Sequence, residues 1–210
     1  MMKKDSSVRT QPQTIKKLLH VGCGYPAPHR LPAFFQQPDW QEIRLDIDPQ
    51  VQPDMIGSIT DLSAIPNASI DAIWSSHNIE HVHSFEVPQA LAELRRVLKP
   101  DGFLLMTLPN LRAIALHIAN DRLTDTLYVS PVGPITALDV VFGHQASIAN
   151  GNTYMAHKTG FTAKTLGLAL QNAGFAETRV IEGTRLDLWT IATMPQTAPT
   201  IFDALAEVML

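Results

Sequence analysis

The chain has 210 residues, 45% hydrophobic and 17% charged, enough apolar material for one sizeable core and one domain. Its formal net charge of −4 excludes the basic field that nucleic acid or an anionic membrane selects, so neither is expected as a partner. One cysteine excludes an intramolecular disulfide framework, and no secretory signal or long apolar span stands out, so a soluble cytoplasmic protein is expected.

Residues 1–14 are polar and aperiodic, which predicts a flexible tail. "IKKLLHVG" then reads as a strand, with Leu18, Leu19 and Val21 at its buried end and Gly22-Cys23-Gly24 as a tight turn. "RLPAFFQQ" predicts a short helix, "EIRLDID" a second strand ending in carboxylates, and Met55 to Ile59 a brief third strand. "IDAIWSSH" predicts a fourth strand, and "EVPQALAELRRVL" puts Val87, Leu91, Leu94 and Leu98 on one helical face. Lys99-Pro100-Asp101-Gly102 is a turn signal, followed by the near-continuous apolar strand "FLLMTLP".

Strands separated by short helices imply βαβ crossovers and a parallel sheet covered on both faces. The rhythm breaks at residues 111–160, too long a stretch for a plain connection in a compact domain. It resumes with the helix "TAKTLGLALQNAGF", the hairpin-like pair "AETRVIEG" and "LDLWTIATM", and a C-terminal helix within 195–210. The expected organisation is therefore one domain over 15–194, interrupted by a cap insertion at 111–160.

The chemistry starts at the first turn. Gly22 and Gly24 allow close backbone approach to a ligand at the carboxyl end of a strand. A dinucleotide loop continues through a third glycine into a helix, whereas Pro26, Pro28 and Pro32 follow here and remove amides that a pyrophosphate needs. A ligand with an amino-acid tail has no such need, and a plain strand-to-helix turn is the bland alternative. Asp46 ends the second strand, where a carboxylate can accept both hydroxyls of a ribose. Asp48 competes, although the step onto Pro49 assigns it to the turn, and either carboxylate could instead be a solvated cap.

"LLHVGCG", "IRLDIDP", "GSITDLSAIPNASIDAIWSSHNIEHV" and "ALAELRRVLKPDGFLLMTLPN" resemble, in order and spacing, the motifs of class I S-adenosylmethionine-dependent methyltransferases, closest to the small bacterial type 11-like members. The resemblance covers residues 17–110, and residues 160–194 more loosely. It implies a Rossmann-like, doubly wound α/β sheet of seven strands, mostly parallel with an antiparallel last strand. It also implies S-adenosylmethionine as cofactor. Gly22, Cys23 and Gly24 would pass under the methionine part of the donor, with His20 where relatives are often acidic. Asp46 would bind the ribose with Ile47 beside it, and Ser58 and Ile59 fall where the adenine is read. Many relatives are acidic at the Ser58 position, so Asp61 is a substitute. Ser75, Ser76 and His77 would stand beside the methyl group.

Methyl transfer is an in-line displacement at a sulfonium carbon, so the protein mainly aligns an acceptor and excludes water. A hydroxyl or protonated amine also needs a base, and His77, Glu80 and His81 lie beyond the fourth strand. Each could equally be a helix cap, a solvated helix face or a hydrogen-bond support. Drawing His77, Glu80, His81 and His83 as metal ligands finds no cysteine pair or HExxH pattern, so no metal is expected. Within the insertion, His144, Tyr154 and His157 sit in a polar run after the helix-like "PITALDVVF", which points to a cap over an acceptor rather than a surface loop. The expected activity is methyl transfer to a small-molecule or sugar-like acceptor. A cofactor-binding regulatory protein and a nicotinamide dehydrogenase are the rivals. Oligomeric state is not readable from the sequence.

Overall fold

The computed structural model describes residues 15–27, 30–206, 208 and 209, so the expected tail at 1–14 lies outside the described residues. Seven strands form the main sheet: β1 (Lys16–Val21), β2 (Trp40–Asp46), β3 (Met55–Ile56), β4 (Ile70–Ser76), β5 (Leu98–Pro109), β8 (Glu177–Glu182) and β9 (Asp187–Thr193). Their order is β3-β2-β1-β4-β5-β9-β8, parallel from β3 through β5, with β9 antiparallel to both of its neighbours. The chain thus leaves β1 in one direction for β2 and β3 and in the other for β4 and β5. That reversal opens a crevice at the carboxyl ends of β1 and β4.

The central strands are buried on both faces, which is why they read as unbroken apolar runs. On one face Leu19, Val21, Ile73, Leu104 and Met106 meet α1 (Val87–Val97) and α5 (Ala163–Asn172). Helix α1 buries Val87, Ala90, Leu91, Leu94 and Val97, an i, i+3, i+4, i+7 stripe. Removing the fully buried Leu94 side chain to Ala is worth about 2–5 kcal/mol of stability. Leu98, expected on that stripe, instead opens β5. The turn signal at 99–102 becomes a bulge, since Leu98 pairs with Ile70 but Phe103 with Ala72.

The opposite face is covered more thinly. The helix expected at residues 30–37 is a single 3-10 turn, Ala33–Gln36, and the third strand is only Met55–Ile56. The loop before that turn is pinned by Trp74 Nε1, which donates to the Arg30 carbonyl at 2.8 Å. Phe35 and Phe103 stack beneath it at 6.1 Å. The C-terminal helix α6 (Ile201–Ala206) returns to this face and buries Phe202 and Leu205, filling part of the area that a longer crossover helix would cover.

The insertion is a built unit. It contains α2 (Leu111–Ala119), the hairpin β6 (Thr126–Ser130) and β7 (Gly133–Thr136), α3 (Ala137–Phe142) and α4 (Gln145–Ala149). Ile114, Ile135, Ala137 and Val140 form its own small core. Its ends meet at Asn110 and Phe161, which bridge in parallel, so the main sheet continues as if uninterrupted. The stretch "PITALDVVF", expected as helix throughout, splits into β7 and α3. Thr136 and Asp139 form a reciprocal cap at the junction.

Candidate active site

At the crevice, Gly22 and Gly24 hold φ of +64° and +58°, a region that costs glycine nothing and β-branched residues most. A Cβ at Gly22 would overlap the side chain of Asn78, which comes from the loop after β4. The β1 loop is fixed from β2: Asp46 accepts from the Gly24 amide at 2.8 Å and from the Asp48 amide at 2.9 Å. Each carboxylate oxygen keeps a second lone pair for another donor. Asp48 caps the next turn, accepting from Gln50 N at 2.9 Å. Between the glycines, Cys23 is 1% exposed and burial pushes its thiol up to about 11. His20, 3% exposed, places Nδ1 2.6 Å from Glu42 Oε1.

The other expected cofactor residues divide by orientation. Ile47 is half-exposed just beyond Asp46. The Ile59 side chain belongs to the core, so only its backbone can face a ligand. Ser58 Oγ pairs with Thr60 Oγ1 at 2.8 Å, and the exposed Asp61 accepts from Ser63 N at 3.0 Å. The Ser63 hydroxyl and amide hold that carboxyl below its usual range. Ser75 is fully buried, so its side chain is no ligand contact, and only Ser76 and His77 of that trio line the cavity.

The cavity measures about 1260 Å³ and runs from Gly22 and Ser76, along the thinly covered sheet face, to the underside of the insertion. Of the expected catalytic residues, His77, His81, His144 and His157 line it, whereas Tyr154 is 48% exposed and is not part of its wall. Tyr128 on β6 takes a place in the wall instead, where burial and then the charges of Asp187, Asp139 and Glu80 raise its phenol. Thr107 on β5, Asp187 on β9 and Trp74 on β4 also line it and were not anticipated. Thr107 and Asp187 sit at the ends of apolar strands, where neither spacing nor composition marks them. The strict alternation of faces along β4 could have revealed Trp74.

The densest chemistry lies beyond β4. His77 has φ +49° and stands 3.3 Å, Nδ1 to Oε1, from Glu80, a carboxylate only 1% exposed. Loss of hydration disfavours the charged imidazole, but Glu80 outweighs it and the net shift of His77 is upward. For Glu80, burial acts to raise the carboxyl, yet His77, His81 and His157 together bring it below its usual range. The insertion delivers His157 here. The amides of Lys158 and Thr159 donate to the Glu80 carbonyl at 2.8 and 3.2 Å, and His157 N donates to Phe142 O at 3.2 Å. Gly143 permits that approach, because a Cβ there would run into the Met155 carbonyl. The His81 and His157 rings pack edge to face with centroids 4.8 Å apart. Burial lowers His157 below the usual imidazole range.

Comparison with known proteins agrees with this geometry. Residues 19–106 match the family model described as "Methyltransferase domain". No curated protein matches the chain. Among solved structures, the chain is similar to an S-adenosylmethionine-dependent methyltransferase from Archaeoglobus fulgidus. The two share 14% identity over 86% of this chain and 87% of that one, with a TM-score of 0.55. Another such methyltransferase, from Methanosarcina mazei, gives 17% identity, coverage of 87% and 94%, and a TM-score of 0.56. The 1,6-didemethyltoxoflavin-N1-methyltransferase of Burkholderia thailandensis, solved with S-adenosylhomocysteine, gives 16% identity, coverage of 88% and 72%, and a TM-score of 0.52. The crevice residues fit the donor: two positive-φ glycines let the backbone pass beneath a ligand, and the Asp46 carboxylate lies behind them with lone pairs to spare. The matched segment runs from β1 into β5 of a sheet ordered 3-2-1-4-5-9-8, so residues 19–106 are similar to a methyltransferase domain, set in the fold of the S-adenosylmethionine-dependent methyltransferases named above.

Proposed function

We propose that this enzyme methylates a small polar acceptor, a small molecule or sugar-like compound, held between the sheet edge and the insertion. One observation carries the reading: a single cavity joins Gly22 and Ser76 at the crevice to Tyr128, His144 and His157 of the insertion. Its volume of about 1260 Å³ has room for a small acceptor beside the methyl end of a donor at Gly22, while Gly24, Asp46, Ser58 and Ile59 lie outside its lining. S-adenosylmethionine supplies an activated methyl group and its own leaving group. The residues Gly22, Gly24 and Asp46 hold it, with Ser76 and His77 beside the methyl end.

The chain's own contribution is alignment, exclusion of water and management of one proton. We assign that proton to His77. With Nδ1 directed at Glu80, the imidazole presents Nε2 as acceptor, and the carboxylate stabilises the imidazolium that forms. The insertion roofs the site with Tyr128 and His144, groups able to hydrogen-bond a polyhydroxylated or heteroaromatic acceptor. The residues named for cofactor and catalysis are this reading's assignments, as is 111–160 as acceptor cap.

The test is transfer of tritiated methyl from S-adenosylmethionine into the small-molecule fraction of a cell extract. His77→Ala should depress that transfer at least about tenfold while leaving S-adenosylhomocysteine affinity within about threefold. Label entering only macromolecules would overturn the acceptor class, and equal loss of affinity would move His77 into the donor pocket.

A further inference from the structure

His81 and His157 in the cavity wall and Glu80 behind it each bring one ligating atom to within 4.8 Å of the others. His81 and Glu80 come from the turn after β4, and His157 from the far end of the insertion, so only the folded chain assembles the trio. The tautomers are set by their surroundings. His81 Nδ1 lies 3.1 Å from the Ala156 carbonyl, and His157 Nδ1 lies 2.8 Å from the Val140 carbonyl. A carbonyl only accepts, so both Nδ1 atoms carry hydrogen, and in the neutral imidazoles both Nε2 atoms keep a lone pair. Nδ1–H to a backbone carbonyl is the support that orients a metal-binding imidazole and raises its basicity.

The carboxylate is the second observation. Glu80 is 1% exposed and both of its oxygens are buried; Oε1 faces His77 Nδ1 at 3.3 Å, and Oε2 has no hydrogen-bond partner among the described residues. Its one ion-pair neighbour among the described residues is His77, on the Oε1 side. A buried carboxylate left in this state is costly unless a cation completes it. No lysine or arginine among the described residues pairs with it. Oε2 is the atom without any partner.

We infer that Glu80, His81 and His157 bind one divalent transition-metal ion, with an open coordination position facing the cavity. Two imidazoles and one carboxylate are a donor set for zinc, iron(II) or manganese and a poor one for magnesium or calcium, which take oxygen. Three protein ligands with the two histidines on the cavity wall leave room for a fourth ligand from the solvent side. A tetrahedral ion at about 2.1 Å from each ligand sets them roughly 3.4 Å apart, so small side-chain rotations close the site. The open position is then suited to an acceptor oxygen, which a bound cation would polarise. That last clause rests on the proposed methyl transfer to a small acceptor, whereas metal binding itself does not.

The experiment titrates metal-stripped protein with Zn²⁺ against a chromophoric chelator, in the absence of donor and acceptor. Zinc is the probe because it binds an N/O site more tightly than iron(II) or manganese. One ion per chain with a dissociation constant below about 1 μM is expected. His81→Ala, His157→Ala and Glu80→Gln should each weaken it by about 100-fold or more, and His144→Ala should not. S-adenosylhomocysteine affinity within about threefold of wild type certifies that each variant is folded. Wild-type binding weaker than about 10 μM, or binding indifferent to His157→Ala, overturns the metal site and leaves the methyltransferase reading standing. Tight zinc binding with no label transferred to small molecules does the reverse.

Discussion

Asp46 ties the donor loop to the sheet, so Asp46→Ala acts on both stability and cofactor affinity. Its two oxygens accept from the amides of Gly24 and Asp48, at 2.8 and 2.9 Å, in a partly exposed setting. Hydrogen bonds to an ionised group contribute about 1.5–3 kcal/mol each when sheltered, and water replaces part of each in this partly exposed setting, so the two together should ease unfolding by about 1–3 kcal/mol. For a chain of this size that lowers the melting temperature by roughly 2–10 °C. Loss of the ribose acceptor adds ~2–4 kcal/mol to the binding deficit, a 30- to 1,000-fold rise in the S-adenosylhomocysteine dissociation constant. Asp48→Ala removes only the cap on Gln50, which costs ~1 kcal/mol of stability and changes affinity less than about threefold. Scanning calorimetry and isothermal titration on both variants separate the two effects. Equal affinity losses, or a larger one for Asp48→Ala, would refute the assignment of Asp46 to the ribose.

Gly22→Val must place a β-branched residue at φ +64° and displace Asn78, so titration calorimetry should detect no S-adenosylhomocysteine binding up to about 100 times the wild-type dissociation constant; binding within threefold would show that the loop is not the donor's seat. Cys23, buried with its thiol pushed up to about 11, is almost wholly protonated at pH 8. Native protein should therefore react with iodoacetamide at least about 100-fold more slowly than urea-unfolded protein, with reactivity rising as pH approaches the raised value. Tyr154 stands outside the cavity wall, so Tyr154→Ala should leave turnover within about twofold in the methyl-transfer assay, whereas Tyr128→Phe, inside it, should raise the acceptor KM at least about threefold.

The sheet was legible because its central strands are buried on both faces, which writes Leu18–Val21, Ala72–Ser75 and Phe103–Leu108 as runs that no surface element would carry. Helix α1 was legible for the matching reason, a 3.6-residue stripe. Asp48 was readable as a cap because Pro49 follows it. The segment at residues 30–37 misled because its aromatic residues look like a helix face. Pro32 stands at its start, and what forms is one 3-10 turn held by Trp74. The hairpin β6–β7 turns through Pro131 and Val132, without the Asn-Gly signal that marks tight hairpins, and so remained hidden. Above all, the site depends on contacts that spacing does not encode. His157 meets Glu80 only because two backbone amides zip the end of the insertion to the Glu80 carbonyl, and Asn78 meets Gly22 across the crevice. Tyr154 was singled out by type alone, and type does not say which side of a loop reaches a cavity.

On the proposed reading, the two-glycine loop, broken by prolines and closed by Asp46, seats S-adenosylmethionine rather than a dinucleotide. Isothermal titration of one protein sample with S-adenosylhomocysteine and, separately, with NAD tests it most directly. One saturable site per chain is expected for S-adenosylhomocysteine, with a dissociation constant of about 100 μM or tighter, and no heat from NAD at the same concentrations. Saturable binding of NAD with no response to S-adenosylhomocysteine would contradict it.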